Sequence, residues 1–519
     1  MIFYEQETLI GLCWAALPAL LSLYFYFWQK DEKSAILLLL LSALMVRLVM
    51  ISLDPFIHEW DERYHALVAK NMMTNPFKPM LITDPIFPYD VNDWSGNHIW
   101  VHKQPLFLWQ MALSMKIFGV SPFAVRLPSA ILGTVAVFFI YDIVRKWISD
   151  TRPAYLAAWM SAFAYYGLEL TSGWRSLEHN DVVFYVYITA AIWALVRYIH
   201  SGYALKWAVV IGILTGLAIL VKWLTALVVL GGWGLYILQS KQLRTNLRYY
   251  GHVALAAGIA ACIAAPWQLY ILNTFPAEAA ASYAHNKMHI TSSLGHNGDV
   301  FTHFQNLSWS YHISLVVFII PGMVASFLLR KSDKKLSVAF IGMIAVVYAF
   351  FSIVVKTKMP GLVYLVSGLL IAFMAIGIFA MFNLLFRKWE NQKQLQSATW
   401  SIAFVVAGWL SLMPNVIARD RSIHHEYRNI KIHNATVYKQ LPEEVLQERV
   451  ILNCLSHNHI ELMFYRNAHA FHWFPEQAMI DSLKREGYKF AAFRNVPGQG
   501  LPQYITDDPN ILILEDVIR

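Results

Sequence analysis

The sequence predicts a polytopic α-helical membrane protein with a small C-terminal α/β domain, on three observations. The chain of 519 residues is 57% hydrophobic and only 14% charged, where ordinary globular chains are about half apolar and a quarter charged. The apolar excess is gathered in runs of about 20 residues, the length a helix needs to cross about 30 Å of hydrocarbon. After Ile417 the character changes to that of a soluble protein, with short strand-like and helix-like segments.

Taken in order, the runs predict about 12 spans, at 8–28, 34–53, 123–144, 153–170, 182–199, 206–222, 223–239, 252–271, 311–329, 336–355, 361–386 and 399–417. A polar Lys222 divides one long apolar stretch into the sixth and seventh. The first run lacks a positive segment before it and a small-residue cleavage site after it, so it reads as a retained span. Basic residues collect in alternate links: Lys30 and Lys33; Arg145, Lys146 and Arg152; Lys241, Arg244 and Arg248; Arg330, Lys331, Lys334 and Lys335; Arg387, Lys388 and Lys393. If the spans alternate, all five links share one side, and the positive-inside rule makes that side cytoplasmic. Both termini and the long loops 54–122 and 273–310 then lie outside. The stretch Leu106 to Phe118 is too short to span and is expected along the interface.

The expected division is a membrane domain over 1–417 and an outer α/β domain over 418–519. In the latter, Arg449 to Cys454, Lys489 to Asn495 and Ile511 to Val517 read as strands, and His457 to Arg466 and Glu476 to Glu486 as helices.

The net charge of +8 is explained by the basic links, without a basic face of interleaved aromatics, so no nucleic-acid partner is expected. Trp and Tyr, 19 and 26 in number, suit interfacial belts. The three cysteines have neither zinc nor disulfide spacing. The outer loops hold many histidines, from His58 to His303, with no recognised ligand spacing. Dinucleotide and P-loop fingerprints are absent, which argues against direct use of a nucleotide.

Four polar constellations fall on the outer side. In Ile57 to Met73, Asp61 and Glu62 stand where a carboxylate is near water yet beside hydrocarbon. Burial there raises a carboxylate toward the range of a base, while an acid that caps the following helix is the other reading. In Trp100 to Ala130, Lys103 and Arg126 can hold an anionic headgroup or snorkel as anchors. In Ser172 to Phe184, Glu178 and Asp181 face the same compartment as Asp61, or form a solvated turn with Asp181 as its cap. In Val354 to Leu365, Lys356 and Lys358 stand against the positive-inside bias, for which an anionic lipid phosphate supplies a reason.

The order of these segments resembles the protein O-mannosyltransferase and lipid A aminoarabinose transferase family of the GT-C glycosyltransferases. It runs WDERYHALVAKN, KQPLFLW, FGVSPFAVRLPS, an Arg-to-Asp segment, KWLT at Lys222 to Thr225, APW at Ala265 to Trp267, and KTKMPGLVYL, covering about Ile36 to Phe373. The resemblance implies the GT-C fold and inverting transfer of a sugar from a polyprenyl-phosphate carrier to a lipid A-type glycolipid, another glycan or a protein. Asp61 matches the catalytic acid, with Glu62 beside it. Arg63 and Tyr64 match residues that contact the donor phosphate or the base. Lys103 matches the carrier-phosphate lysine and Lys358 the late basic position, and Lys356 is a further cation that could stabilise the phosphate. Asp181 matches the second acid, and Glu178 competes for that role. His102 stands where the family often has a glutamate, and Gln104–Pro105 where it often has two prolines. His102, Glu178 and Arg175 are therefore supporting or alternative residues. Some relatives hold a divalent metal near the catalytic acids, so a cation near Asp61 is carried as an option, with no other cofactor.

The alternative is a transporter or flippase of lipid-linked sugars, which also needs spans and phosphate-binding cations. Transporters place their sites near the midplane, commonly between paired repeats, whereas here the acids lie in outer loops and no repeat is visible. The expected location is the bacterial inner membrane, with the active site and the C-terminal domain facing the periplasm.

Overall fold

The computed structural model describes residues 2–175, 179–386, 392–455, 457–494 and 500–518; of His179 only the backbone is described. Its first ten helices are α1 Glu5–Tyr24, α2 Glu32–Ser52, α3 Asp61–Met72, α4 Pro105–Phe118, α5 Pro122–Ile148, α6 Thr151–Ala162, α7 Tyr165–Ser172, α8 His179–His200, α9 Leu205–Lys222 and α10 Val228–Leu238. The helices Leu247–Thr274, Pro276–Thr291, Ile319–Leu328, Lys334–Ala349, Ser367–Leu385 and Lys393–Leu412 follow. Among the described residues, nine helices are long and apolar enough to cross a membrane, or ten counting a pair bent by 113° at its break, Thr302–Ser310 with Ile313–Leu328.

This count is lower than the twelve runs, for local reasons. The run 153–170 is broken into α6 and α7 around Phe163, and both pieces are almost wholly buried. The run 311–329 yields a helical stretch, Ile313–Leu328, too short to span alone and set at 113° to Thr302–Ser310. The stretch Leu205–Leu238 passes the length test as one helix, yet its contacts return it to where it started. Lys222 at the end of α9 pairs with Asp181 at the start of α8. Trp233 in α10 lies 4.7 Å from Tyr198 at the far end of α8, close to where α9 begins. The turn comes at Trp223, whose φ is +72°. Lys222 and Trp223 thus reverse the chain, as the polar interruption predicts.

The basic links meet at one end of the bundle. Arg145 reaches Glu32 at 3.3 Å, Tyr26 donates to Thr151 at 2.9 Å, and Asp333 N–H donates to Trp147 O at 2.9 Å. Gln239 donates to Lys335 O at 3.0 Å, and Ser397 Oγ to Phe27 O at 3.5 Å. The same links carry the caps that start the inbound helices. Asp31, Asp150, Asn246 and Asp333 each accept a backbone N–H of the first turn, a contact worth about 1 kcal/mol per helix.

Close helix contacts use small residues. A Cβ at Gly212 would sit 2.7 Å from Ala256 O, and one at Gly216 would sit 3.0 Å from Ala260 Cα. This small-xxx-small match lets α9 and Leu247–Thr274 approach backbone to backbone. As expected for an interfacial helix, α4 is short and leaves Leu113, Ile117 and Phe118 exposed.

At the opposite end, the C-terminal residues form a four-stranded parallel sheet in the order β2-β1-β3-β4, with β1 Arg449–Leu452, β2 His469–Ala470, β3 Lys489–Phe493 and β4 Ile511–Leu514. The helix Asn458–Tyr465 packs on α3. Lys70 of α3 donates to Met463 O at 2.6 Å and Phe464 O at 3.1 Å, so it closes that helix's C-terminal carbonyls. Ile57 N–H donates to Tyr465 OH at 2.8 Å. One apolar core is continuous from Leu12 to Ile518.

Candidate active site

The first turn of α3 decides which of the clustered polar residues are available. Consecutive helical side chains leave about 100° apart, so Asp61, Glu62, Arg63 and Tyr64 point in four directions. Asp61 Oδ1 lies 3.4 Å from Lys103 Nζ, and each side chain keeps 18% of its surface exposed. These two form an open ion pair at the loop end of the bundle.

Glu62, expected among the catalytic acids, is instead buried and committed. Its carboxylate takes a bidentate pair from Arg126, at 2.7 and 2.9 Å, and accepts His58 N–H at 2.6 Å. Arg126 also donates to Asp54 O and Phe56 O, each at 2.6 Å, which fixes the turn between α2 and α3. Arg126 is therefore neither a headgroup ligand nor a snorkelling anchor. Gly173 lets this clamp close, since a Cβ there would lie 2.6 Å from Glu62 Oε1.

Of Arg63 and Tyr64, expected at the donor phosphate, Arg63 turns toward the C-terminal region and Tyr64 into the loop that precedes Lys103. Arg63 reaches Glu461 at 3.4 Å and Asn458 at 3.5 Å. Glu461 also receives Lys431 at 2.6 Å. Tyr64 is buried between Trp94 and Trp100, at 4.9 and 6.3 Å.

Lys103 owes its place to the start of α4. Gln104 has an extended backbone and Pro105 takes the first helical position, where its missing N–H costs nothing. The buried Gln104 accepts from Gln268 at 2.6 Å, which accepts from Tyr283 OH at 2.7 Å. Ser282 Oγ donates to Val101 O at 3.2 Å. The helix Pro276–Thr291 thereby roofs the Lys103 segment. His102 lies 4.9 Å from His285 and stacks on Trp94 at 5.1 Å. Burial and then the Lys103 cation hold His285 below the usual histidine range, so it is neutral at neutral pH.

The second acid is joined to the same roof. Asp181 is buried and paired with Lys222. Trp223, next in sequence, meets Tyr283 edge-on at 5.4 Å. Gly361 packs against Asp181, where a Cβ would collide with the carboxylate. The late KTKMPG segment thus reaches the second acid through its glycine. Lys358 does not point there: its ammonium donates to the carbonyls of Phe351, Ser352 and Val355 at 2.8, 2.8 and 2.5 Å. All three ammonium protons are used to close a helix end. Lys356 is exposed. Arg175 donates to Tyr165 OH at 2.8 Å and lies over the Trp309 ring at 4.4 Å. Glu178 lies outside the described residues.

Sequence reasoning did not single out the Gln104–Gln268–Tyr283 chain or a buried ionic cluster behind the site. In that cluster Arg421 donates to both oxygens of Glu169, at 2.6 and 2.8 Å, and lies 3.3 Å from Asp54, which also receives Arg428 at 2.7 Å. Burial pushes Asp54 up, but Arg421, His58 and Arg428 hold it well below the usual carboxylate range. A glutamate inside the apolar run 153–170 was the available signal, since such a residue needs a partner. Among the described residues, Asp61 belongs to no group of three ligating side chains close enough for a metal. The group that qualifies is His457, His459 and His472.

Comparison with known proteins agrees with this architecture. Residues 102–270 match the family of dolichyl-phosphate-mannose-protein mannosyltransferases. An undecaprenyl phosphate-alpha-4-amino-4-deoxy-L-arabinose arabinosyl transferase from Pseudomonas savastanoi pv. phaseolicola is 27% identical over 239 residues, 43% of this chain. The match spans 41% of that relative's length. The fold is shared with ArnT from Cupriavidus metallidurans bound to undecaprenyl phosphate, with TM-score 0.60 and 15% identity over 93% of this chain and 90% of that one. It is shared also with the archaeal oligosaccharyltransferase AglB from Archaeoglobus fulgidus, in complex with an inhibitory peptide and a dolichol-phosphate. There the TM-score is 0.55 and the identity 14%, over 85% of this chain and 64% of that one.

Proposed function

We propose that this chain, which has the GT-C fold of the protein-mannosyltransferase and aminoarabinose-transferase type, transfers a sugar from a polyprenyl-phosphate carrier to an envelope acceptor. The acceptor is a lipid A-type glycolipid, a glycan or a protein. The observation that carries the reading is the open Asp61–Lys103 pair at the loop end of the helices, in a chain whose fold neighbour is bound to undecaprenyl phosphate.

The chemistry follows from the two groups. Asp61 accepts the proton of the acceptor hydroxyl or amine as that atom attacks the anomeric carbon. The bond from that carbon to the phosphate oxygen breaks, and the electron pair leaves with polyprenyl phosphate. Attack opposite the leaving group inverts the centre. Lys103 stabilises the charge that develops on the phosphate, in a site partly closed to water. Lys222 fixes Asp181 at the far side of the roof, and Gln104, Gln268 and Tyr283 position the segment that holds Lys103. Lys356 is the remaining exposed cation of the late segment and steers the phosphate toward the mouth.

The test separates carrier phosphate from carrier tail. Purified protein in nanodiscs is titrated with polyprenyl phosphate and with uncharged polyprenol, and binding is read by native mass spectrometry. The phosphate form is expected to bind more tightly, and Lys103→Ala to weaken it by about 10- to 100-fold. That is the loss of a charge-assisted hydrogen bond worth about 1.5–3 kcal/mol. Equal binding of both lipids, or no effect of Lys103→Ala, would remove the phosphate from the account.

The basic end is assigned to the cytoplasm by the positive-inside rule, which sets the Asp61 site in the periplasm of a multi-pass inner-membrane protein. An impermeant thiol reagent applied from outside should label a cysteine placed at Asn92 or Gly298. It should spare one at Asn246 or Ser332. The reverse pattern inverts the topology.

A further inference from the structure

Three histidines come together at the edge of the parallel sheet. His457 and His459 follow β1, and His472 follows β2. Neighbouring parallel strands end on the same edge, so the segments leaving them converge there, where α/β sheets commonly hold ligands. One ring nitrogen from each histidine lies within 4.8 Å of the others. The ring centroids are 4.7, 5.0 and 6.0 Å apart. Nitrogens around a tetrahedral zinc, at about 2.0–2.1 Å each, lie about 3.4 Å apart, so small rotations of the rings close the set.

The polar atoms are not otherwise used. The Nδ1 atoms of all three rings are buried without a hydrogen-bond partner, and His459 is only 2% exposed. Such atoms cost free energy unless something meets them. The site lies inside the fold, with His459 buried and His457 and His472 half-buried. Asp93, in the loop before Lys103, is the carboxylate whose charge acts on both His457 and His472. Its Oδ1 is held by Ser95 at 2.9 and 2.6 Å.

We propose that His457, His459 and His472 bind one divalent transition-metal ion of the zinc class, with Asp93 or water in the fourth position. The ion ties the C-terminal sheet to the loop that carries Trp94, and Trp94 packs against both Tyr64 and His102. It is a structural ion, separate from the Asp61–Lys103 pair, and its binding does not depend on the reaction proposed above.

The experiment uses the full chain in detergent, freed of any histidine tag and stripped with a chelator. Cobalt(II) is then added as a spectroscopic probe, and zinc is counted by elemental analysis. The wild type should bind one equivalent of zinc, show the visible bands of four-coordinate cobalt, and melt at a higher temperature when zinc is restored. His472→Ala and His459→Ala should weaken binding by about 100-fold or more and lose the bands. His472 is the less buried of the two, so its variant keeps the test sound if His459→Ala fails to fold. His296→Ala, an exposed histidine of another loop, should behave as wild type. Absence of stoichiometric zinc in the wild type would overturn the proposal. So would zinc that persists in His472→Ala and is lost in Asp61→Asn.

Discussion

Replacing Asp61 by Asn is expected to lower turnover by about 10²- to 10⁴-fold, the usual loss for a positioned general base. The amide keeps the shape of the carboxylate and removes its charge and basicity. Binding of polyprenyl phosphate should change far less, because the proposed phosphate ligand, Lys103, stays in place and loses its 3.4 Å partner Asp61. Glu62→Gln separates this from a general effect of acid loss in the same turn. Glu62 is locked to the fully buried Arg126, so its loss strands a buried cation and should appear in the thermal melt. Turnover per folded molecule should change little. Steady-state rates and melting curves on the same preparations read both. Near-normal turnover in Asp61→Asn with loss in Asp181→Asn would move the base to Asp181.

Arg421→Ala is expected to cost about 3–5 kcal/mol of stability, the range for breaking a buried ion pair from one side. Arg421 and Glu169 are both completely buried and share two hydrogen bonds. Removing the arginine leaves the buried Glu169 carboxyl without its partner and takes one of the cations from Asp54. Arg421→Lys should recover only part of the loss, since an ammonium cannot replace the planar fork. Paired Glu169→Gln and Arg421→Ala variants form a double-mutant cycle in which the double variant is less damaged than the sum of the singles. Strict additivity would show that the pair contributes nothing.

The parts of the fold that sequence made legible are those governed by length and period. The apolar runs, the basic links and the strands at Arg449, Lys489 and Ile511 all follow from local patterns. Lys222 marked the turn at Trp223, because a lone cation within a long apolar stretch has to reach an end. β2 is two residues long and carries no periodicity to read. The break between α6 and α7 has neither glycine nor proline at Phe163–Ala164, so composition gave no sign of it.

The candidate site was legible in membership more than in orientation. Asp61 and Lys103 do meet. Adjacent letters such as Asp61 to Tyr64 look like one constellation, yet a helix sends them to four environments. Lys358 shows a second limit. A cation placed against the charge bias needs an anion, and the sequence cannot say whether that anion is a lipid phosphate or a set of helix-end carbonyls. The pairs that sequence missed are distant along the chain: Gln104 with Gln268, Glu169 with Arg421, and the loops of His457 and His472. Each depends on tertiary packing that no local spacing encodes.

The proposed reaction moves a sugar out of a lipid-linked donor. Mass spectrometry of envelope lipids, glycans and glycoproteins tests it most directly, in cells carrying the wild-type chain, Asp61→Asn or no copy. One sugar increment is expected on an acceptor in wild-type cells only. Its polyprenyl-phosphate form should accumulate on the periplasmic face when Asp61 is changed. Accumulation of that lipid on the cytoplasmic face, or an acceptor fully glycosylated with Asp61→Asn, would contradict it.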